Sequence, residues 1–238
     1  MITISNGKNK MEREKIIEFG FNGYSATIII PKNPNGKWIW KTEFLYAFDQ
    51  AEQALLQKGY TRVYYRISDM YGSDNAVKLM LDFHKELINR YTWLDKKAIL
   101  FGFSRGGLYA FNYAAAYPDN VEKVYLDAPV LNLKSWPKNG SIEQEQFFNE
   151  YGLDDKTFLT FKDSPIDRLD KYFATKIPTL LIAGDSDEVV PFKENGEIMY
   201  MRAKEIGADL QLIMKQGCGH HPHSLEDVSP IIDFIEIH

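Results

Sequence analysis

The sequence specifies an α/β fold built on a mostly parallel sheet, and two patterns carry that reading. From Thr42 onward, short runs rich in β-branched and aromatic residues alternate with segments whose apolar residues recur at helical spacing. Ahead of them, β-rich runs lead into an Asn35-Gly36 pair and another apolar run, a hairpin signal that makes the first strands antiparallel. Helices of the observed length serve as the right-handed crossovers that parallel strands require, so helices are expected on both faces of the sheet.

The opening strands are EKIIEF and ATIII. The stretch PKNPNGKWIW follows, and its Asn35-Gly36 pair is a hairpin signal because Asn-Gly tolerates the positive φ values of tight turns. A helix is expected from Thr42 to Lys58, with Phe44, Leu45, Phe48, Ala51, Leu55 and Leu56 on its apolar side, Thr42 as cap and Gly59 as stop. Strand TRVYYRI, helix Asp74 to Arg90, strand KAILF, helix Gly107 to Tyr117 and strand VEKVYL come next. Strand PTLLIAG, helix Glu194 to Ile206, strand LQLIMK and a last helix near Asp227 to Ile237 complete the alternation. Between about residues 130 and 176 it lapses into short helices and turns, expected as a small cap inserted in a single domain spanning residues 1–238.

Composition narrows the partners. The 238 residues are 45% hydrophobic, enough for one sizeable core. The net charge of -5 comes from acidic and basic residues mixed along the chain, without a basic block that could track a phosphate backbone, so no nucleic-acid partner is expected. No apolar run reaches bilayer-spanning length and the N-terminus lacks a signal-peptide core, so a soluble cytoplasmic protein with no membrane partner is expected. A lone Cys218 excludes an internal disulfide, and no cofactor is called for.

The stretch FGFSRGGL places Ser104 between Gly102 and Gly106, after a predicted strand and before a predicted helix. A hydroxyl becomes a useful nucleophile when a base removes its proton and when it stands clear of the sheet. A G-x-S-x-G turn at a strand-to-helix elbow meets the second need, and the helix start aims its unpaired N–H groups at a developing oxyanion. An acid and a histidine should then follow on later strand ends. DSDEVVP follows TLLIAG, and QGCGHHPHSL follows LQLIMK.

With these motifs the chain resembles the α/β-hydrolase superfamily over essentially its whole length. That resemblance implies an acid a few residues before a Val-Pro pair, which selects Asp187 in GDSDEVVP, with Asp185 and Asp127 as alternatives. It implies a histidine after a G-x-G pair, which selects His220, while His221 can shape the site and His223 can cap the following helix. His84 falls in a helix before the nucleophile and His238 is terminal. Three histidines in four positions can also hold zinc or nickel, but no Asp, Glu or Cys set stands beside them in a ligand pattern, and no metal is expected. The oxyanion donors implied are the backbone N–H groups of Arg105 and of Trp40 or Lys41, although the usual His-Gly of that loop is replaced by KWIWKTEF.

The motifs KWIWKTEF, DMYGS, DAPVLNLKSWP and GHHPHSLED are similar to those of a group of bacterial hydrolases and esterases, some of them from carbohydrate-degrading systems. The resemblance implies a serine esterase acting on a small-molecule carboxylic ester, with an acylated sugar as the first guess. Trp38, Trp40, Tyr71 and Trp136 are then candidates to stack on substrate, and Arg105 to bind a carboxylate or pair with Asp69. A peptidase of the same fold ranks lower, because these residues include no propeller to filter peptides. A low-turnover ligand-binding or signalling relative is the third reading.

Overall fold

The computed structural model describes residues 3–4 and 14–237; most of the N-terminal stretch read for a leader, and His238, lie outside them. Among the described residues nine strands form one sheet: β1 (Thr3–Ile4), β2 (Glu14–Phe21), β3 (Tyr24–Pro31), β4 (Trp38–Lys41), β5 (Thr61–Tyr65), β6 (Ala98–Phe103), β7 (Val121–Asp127), β8 (Thr179–Gly184) and β9 (Leu210–Lys215). Their spatial order is β1-β2-β3-β5-β4-β6-β7-β8-β9. The pairings β1/β2, β2/β3 and β3/β5 are antiparallel, and every pairing from β5/β4 to β8/β9 is parallel. This is the α/β-hydrolase fold that the resemblance implies, with the mostly parallel sheet and antiparallel start that the alternation and the hairpin signal predict.

The hairpin turns at Asn22-Gly23, both at positive φ, and not at Asn35-Gly36. Asn35-Gly36 instead lies between β3 and β4, which are not neighbours because β5 inserts between them. A turn signal states that the chain bends; which strands then pair is set by the sheet as a whole.

The helices are α1 (Gln50–Gln57), α2 (Asp74–Arg90), α3 (Gly106–Ala116), α4 (Ile142–Tyr151), α5 (Asp155–Leu159), α6 (Leu169–Phe173), α7 (Gly196–Ile206) and α8 (Ser229–Ile237). Between β7 and β8 the chain forms α4 to α6, the short helices expected there. Two apolar clusters sandwich the sheet. Trp38, Trp40, Val63, Leu100, Val124 and Leu126 pack toward α2 and α3 on one face. Ile39, Ile99, Phe101, Tyr125, Leu180 and Ile182 pack toward α1 and α8 on the other. Consecutive strand residues therefore enter opposite clusters, as a two-residue side-chain repeat with both faces covered demands.

The helix expected from Thr42 begins only at Gln50. Thr42 is committed elsewhere: its N–H donates to the Phe101 carbonyl at 3.0 Å and its hydroxyl to the Gly106 carbonyl at 2.8 Å. Phe44 and Phe48 then adopt positive φ, which is incompatible with a continuous helix. The loop so formed turns beside the start of α3.

That loop is anchored by charge. Lys41 at the end of β4 and Glu52 in α1 form an ion pair with both side chains buried, and the Lys41 ammonium also sits 3.4 Å over the Phe103 ring. Burial pushes Lys41 down and Glu52 up, and each is opposed by the other's charge. Arg62 reaches Asp49 at 2.9 Å and the Leu45 carbonyl at 2.9 Å, tying the loop's far end to β5. Removing one partner leaves the other charged and unsolvated. Glu52→Ala should lower unfolding stability by about 3–5 kcal/mol in urea titration, with a substantial part recovered in the Lys41→Met/Glu52→Leu double variant. A single-variant loss under about 1 kcal/mol would show that the charges are not desolvated as a pair.

Candidate active site

Strand β6 ends at Phe103 and α3 begins at Gly106, so the chain reverses within two residues. Ser104 carries the turn at φ +50°, in the left-handed region that costs a non-glycine residue energy. Backbone bonds hold it there: its N–H donates to the Asp127 carbonyl at 2.9 Å, and its own carbonyl accepts from Val130 N–H at 2.9 Å. Such a sharp reversal brings α3 hard against the chain after β7. A Cβ on Gly107 would lie 2.5 Å from Pro129 Cβ, so only glycine fits.

Ser104 Oγ is 3.0 Å from His220 Nε2, and His220 Nδ1 is 2.7 Å from Asp187 Oδ2. Asp187 follows β8 and His220 follows β9, so three carboxyl-end loops converge at one edge of the sheet. The histidine loop reaches that far by crossing directly over the end of β8. A Cβ on Gly184 would stand 2.2 Å from the Cys218 carbonyl oxygen.

The other oxygen of Asp187 accepts from Val189 and Val190 N–H at 2.8 and 2.9 Å. Burial pushes this carboxyl up, but the hydrogen bonds from His220, Val190 and Val189 and the charge of His220 together hold it below the ordinary Asp value. An ionised Asp187 holds an N–H on His220 Nδ1 and so directs Nε2 at the serine hydroxyl. Asp185, the competing acid, is exposed and accepts from Gly217 N–H at 2.8 Å and Ser186 Oγ at 2.9 Å. It braces the turn between β8 and the histidine loop.

Asp127 is engaged differently. Its carboxylate is fully buried, lies 2.8 Å from His223 Nδ1, and accepts from Tyr125 OH at 2.6 Å and Ser224 N–H at 2.8 Å. His223 therefore does not cap a helix; α8 begins only at Ser229. The loop holds two Asp-His pairs side by side. The rings of His220, His221 and His223 lie 4.8 to 4.9 Å apart by centroid, and the exposed His221 stacks on Phe48. Partial burial and the neighbouring His223 and His220 push His221 below the usual histidine value.

Arg105 stands at the head of α3, its backbone immediately after the nucleophile. Trp40 and Lys41 are not beside it. Both lie inside β4, buried and paired with β5 on one side and β6 on the other, so their N–H groups belong to the sheet. The loop one step further along approaches the elbow instead: a Cβ on Gly106 would be 3.1 Å from Glu43 Cβ and 3.5 Å from Glu43 N.

The aromatic candidates largely dissolve into the core. Trp38 and Trp40 are 0% and 1% exposed, and Trp38 spends its indole N–H on the Asp95 carbonyl. Tyr71 is also fully buried and donates to Gln146 Oε1. Trp136 is half-buried, 6.1 Å from Tyr71. Strand alternation in KWIWK was the signal that both tryptophans face the α2 and α3 side. Arg105 pairs with Asp69 at 3.2 Å and approaches Glu43 at 3.6 Å. Glu43, which sequence reading passed over, is pushed up by burial and pulled back by Arg105 and by a 3.0 Å hydrogen bond from Ser68. Glu43, Phe44, Tyr64, Arg66 and Arg105 line part of an open cleft of about 640 Å³ at this edge.

The sequence profile of the prolyl oligopeptidase family matches residues 54–236, which include Ser104, Asp187 and His220. The chain belongs to this family of serine hydrolases. No curated protein sequence matches it. Among solved structures it is similar to the acylaminoacyl peptidase of Pyrococcus horikoshii, at 17% identity and TM-score 0.68 over 89% of this chain and 38% of that one. A puromycin-hydrolyzing peptidase of Mycobacterium tuberculosis gives 16% identity and TM-score 0.68 over 88% of this chain and 37% of that one. An S-formylglutathione hydrolase of Agrobacterium tumefaciens gives 14% and 0.64 over 90% and 91%. The chain thus spans little more than a third of the two peptidases and nearly all of the hydrolase. Among the described residues no helix is long and apolar enough to cross a membrane.

The two acids outside the Ser104 chain should separate by stability. Asp127→Ala strands Tyr125 OH and His223 in the core and should cost about 3 kcal/mol or more in urea unfolding, whereas exposed Asp185→Ala should cost about 1 kcal/mol or less. Equal losses would contradict the buried anchoring assigned to Asp127.

Proposed function

We propose that Ser104, His220 and Asp187 carry acyl transfer to water and that the substrate is a small carboxylic ester. The observation that carries this reading is the continuous hydrogen-bonded chain from Asp187 through His220 to a serine held on a strained elbow. His220 Nε2 takes the Ser104 proton as Oγ attacks the carbonyl carbon, then returns it to the departing alcohol. Asp187 stays ionised and supports the imidazolium. Water, deprotonated by the same nitrogen, releases the acid from the acyl-enzyme. The Arg105 N–H at the start of α3 and a backbone N–H of the Glu43–Phe44 loop take the oxyanion.

The cleft beside Arg105 is lined by none of the three catalytic side chains, so in this scheme it takes the part of the substrate remote from the reacting carbonyl, with Phe44 and Tyr64 among its apolar lining and Arg105, Arg66 and Glu43 among its polar lining. Trp38, Trp40 and Tyr71 are core residues and cannot stack on a sugar, so an acylated sugar rests on the family resemblance alone and not on these aromatics. Peptide substrates form the second reading, favoured by the family and by two peptidases among the structural neighbours.

Purified protein should hydrolyse p-nitrophenyl acetate and be labelled at Ser104 by a fluorophosphonate probe. Ser104→Ala should abolish both, and Asp187→Asn should reduce kcat by about 10³-fold to 10⁴-fold by favouring the wrong tautomer of His220. Unlabelled folded protein would instead indicate a binding role. Matched p-nitrophenyl esters and aminoacyl p-nitroanilides decide between the readings: amide turnover comparable with ester turnover makes the protein a peptidase. Because Asp187 is held below the ordinary Asp value, the pH profile of kcat/KM should show no inflection from this carboxyl in the ordinary carboxylate range, and an inflection there that Asp187→Asn removes would contradict it.

A further inference from the structure

The loop after β9 gathers more imidazole than proton transfer needs. One ring nitrogen from each of His220, His221 and His223 lies within 4.8 Å of the others. In two of the three rings a carboxylate occupies Nδ1, Asp187 on His220 and Asp127 on His223. That leaves Nε2 of each as the nitrogen able to bind a cation. A carboxylate behind the far nitrogen of a histidine is the arrangement that orients and strengthens imidazole ligands in zinc sites. The sequence argument against a metal was the lack of acids in a ligand pattern; the fold supplies them from the ends of β7 and β8, behind the rings.

We propose that His220, His221 and His223 form a binding site for Zn²⁺, in which the metal takes the Nε2 lone pair of His220 and thereby switches off the serine. Three nitrogens about 2.0 Å from a tetrahedral zinc stand about 3.3 Å apart. Closing from the observed spacing asks all three rings to shift, the exposed His221 most freely and the two carboxylate-braced rings by the remainder. Water fills the fourth position. The carboxylates of Asp127 and Asp187 offset the ionic charge, and the Lys215 ammonium, 4.0 Å from Asp127, opposes it in part. The Nε2 lone pair of His220 cannot accept the Ser104 proton and ligate zinc at once, so occupancy and catalysis exclude each other. Inhibition rests on the hydrolase reading above; binding does not.

Isothermal titration calorimetry of the full chain with ZnCl₂ should show one ion per chain, in wild type and equally in Ser104→Ala, which lacks the nucleophile but keeps the ligands. His221→Ala should weaken binding at least tenfold, and His223→Ala should do the same. Ester hydrolysis by wild type should fall in proportion to zinc occupancy and return with EDTA. The proposal is overturned if no zinc binds, if His221→Ala binds as tightly as wild type (an adventitious ion only), or if bound zinc leaves turnover unchanged. If wild type has no hydrolytic activity at all, the calorimetric comparison of wild type, Ser104→Ala and His221→Ala decides the site alone.

Discussion

The reversal of the chain at Ser104 is the constraint on which the rest of the active edge depends. A strand becomes a helix within two residues, and the path it takes puts the serine at positive φ. That conformation persists because its neighbours over-determine it. The Asp127 carbonyl and Val130 N–H grip the Ser104 backbone, Thr42 grips the Gly106 carbonyl, and Pro129 fills the space a side chain on Gly107 would need. A local cost of order 1–3 kcal/mol is thereby spread over a rigid frame, and the hydroxyl is presented rather than packed.

The same frame sets the spacing of the loops that meet the serine. The end of β7 and the residues just after it help pin the elbow, and the carboxylate of Asp127, the last residue of β7, fixes His223 and the backbone of Ser224. β8 supplies Asp187, and β9 delivers His220 across the end of Gly184. One acid therefore orients the histidine facing Ser104, and another secures the loop on which it rides. Their burial separates these roles from that of Asp185, which touches only the turn.

Much of this was legible in the chain. Helix α2 matches its predicted span because Ser73 caps it and its apolar residues keep strict helical spacing. The G-x-S-x-G elbow marks Ser104, and the resemblance to the α/β-hydrolases picks out Asp187 before its Val-Pro pair and His220 after G-x-G; the structure brings the three within hydrogen-bond reach. The failures share a cause. The helix expected from Thr42 forms only from Gln50, since apolar spacing says nothing of the hydrogen bonds Thr42 makes 59 and 64 residues away. Trp38 and Trp40 lie in a strand of only four residues, too short for its alternation to mark it off from the loop that follows.

What the sequence determined by itself is what short range controls: the alternation of strand and helix, the elbow and the order of its chemical groups. Tertiary structure alone decided the rest. It moved the hairpin turn to Asn22-Gly23, placed β5 between β3 and β4, gave Asp127 to His223, and drew three histidines together with two carboxylates behind them. Those outcomes depend on which distant strand ends become neighbours. That is settled by burying both faces of one sheet, and no window of sequence contains it.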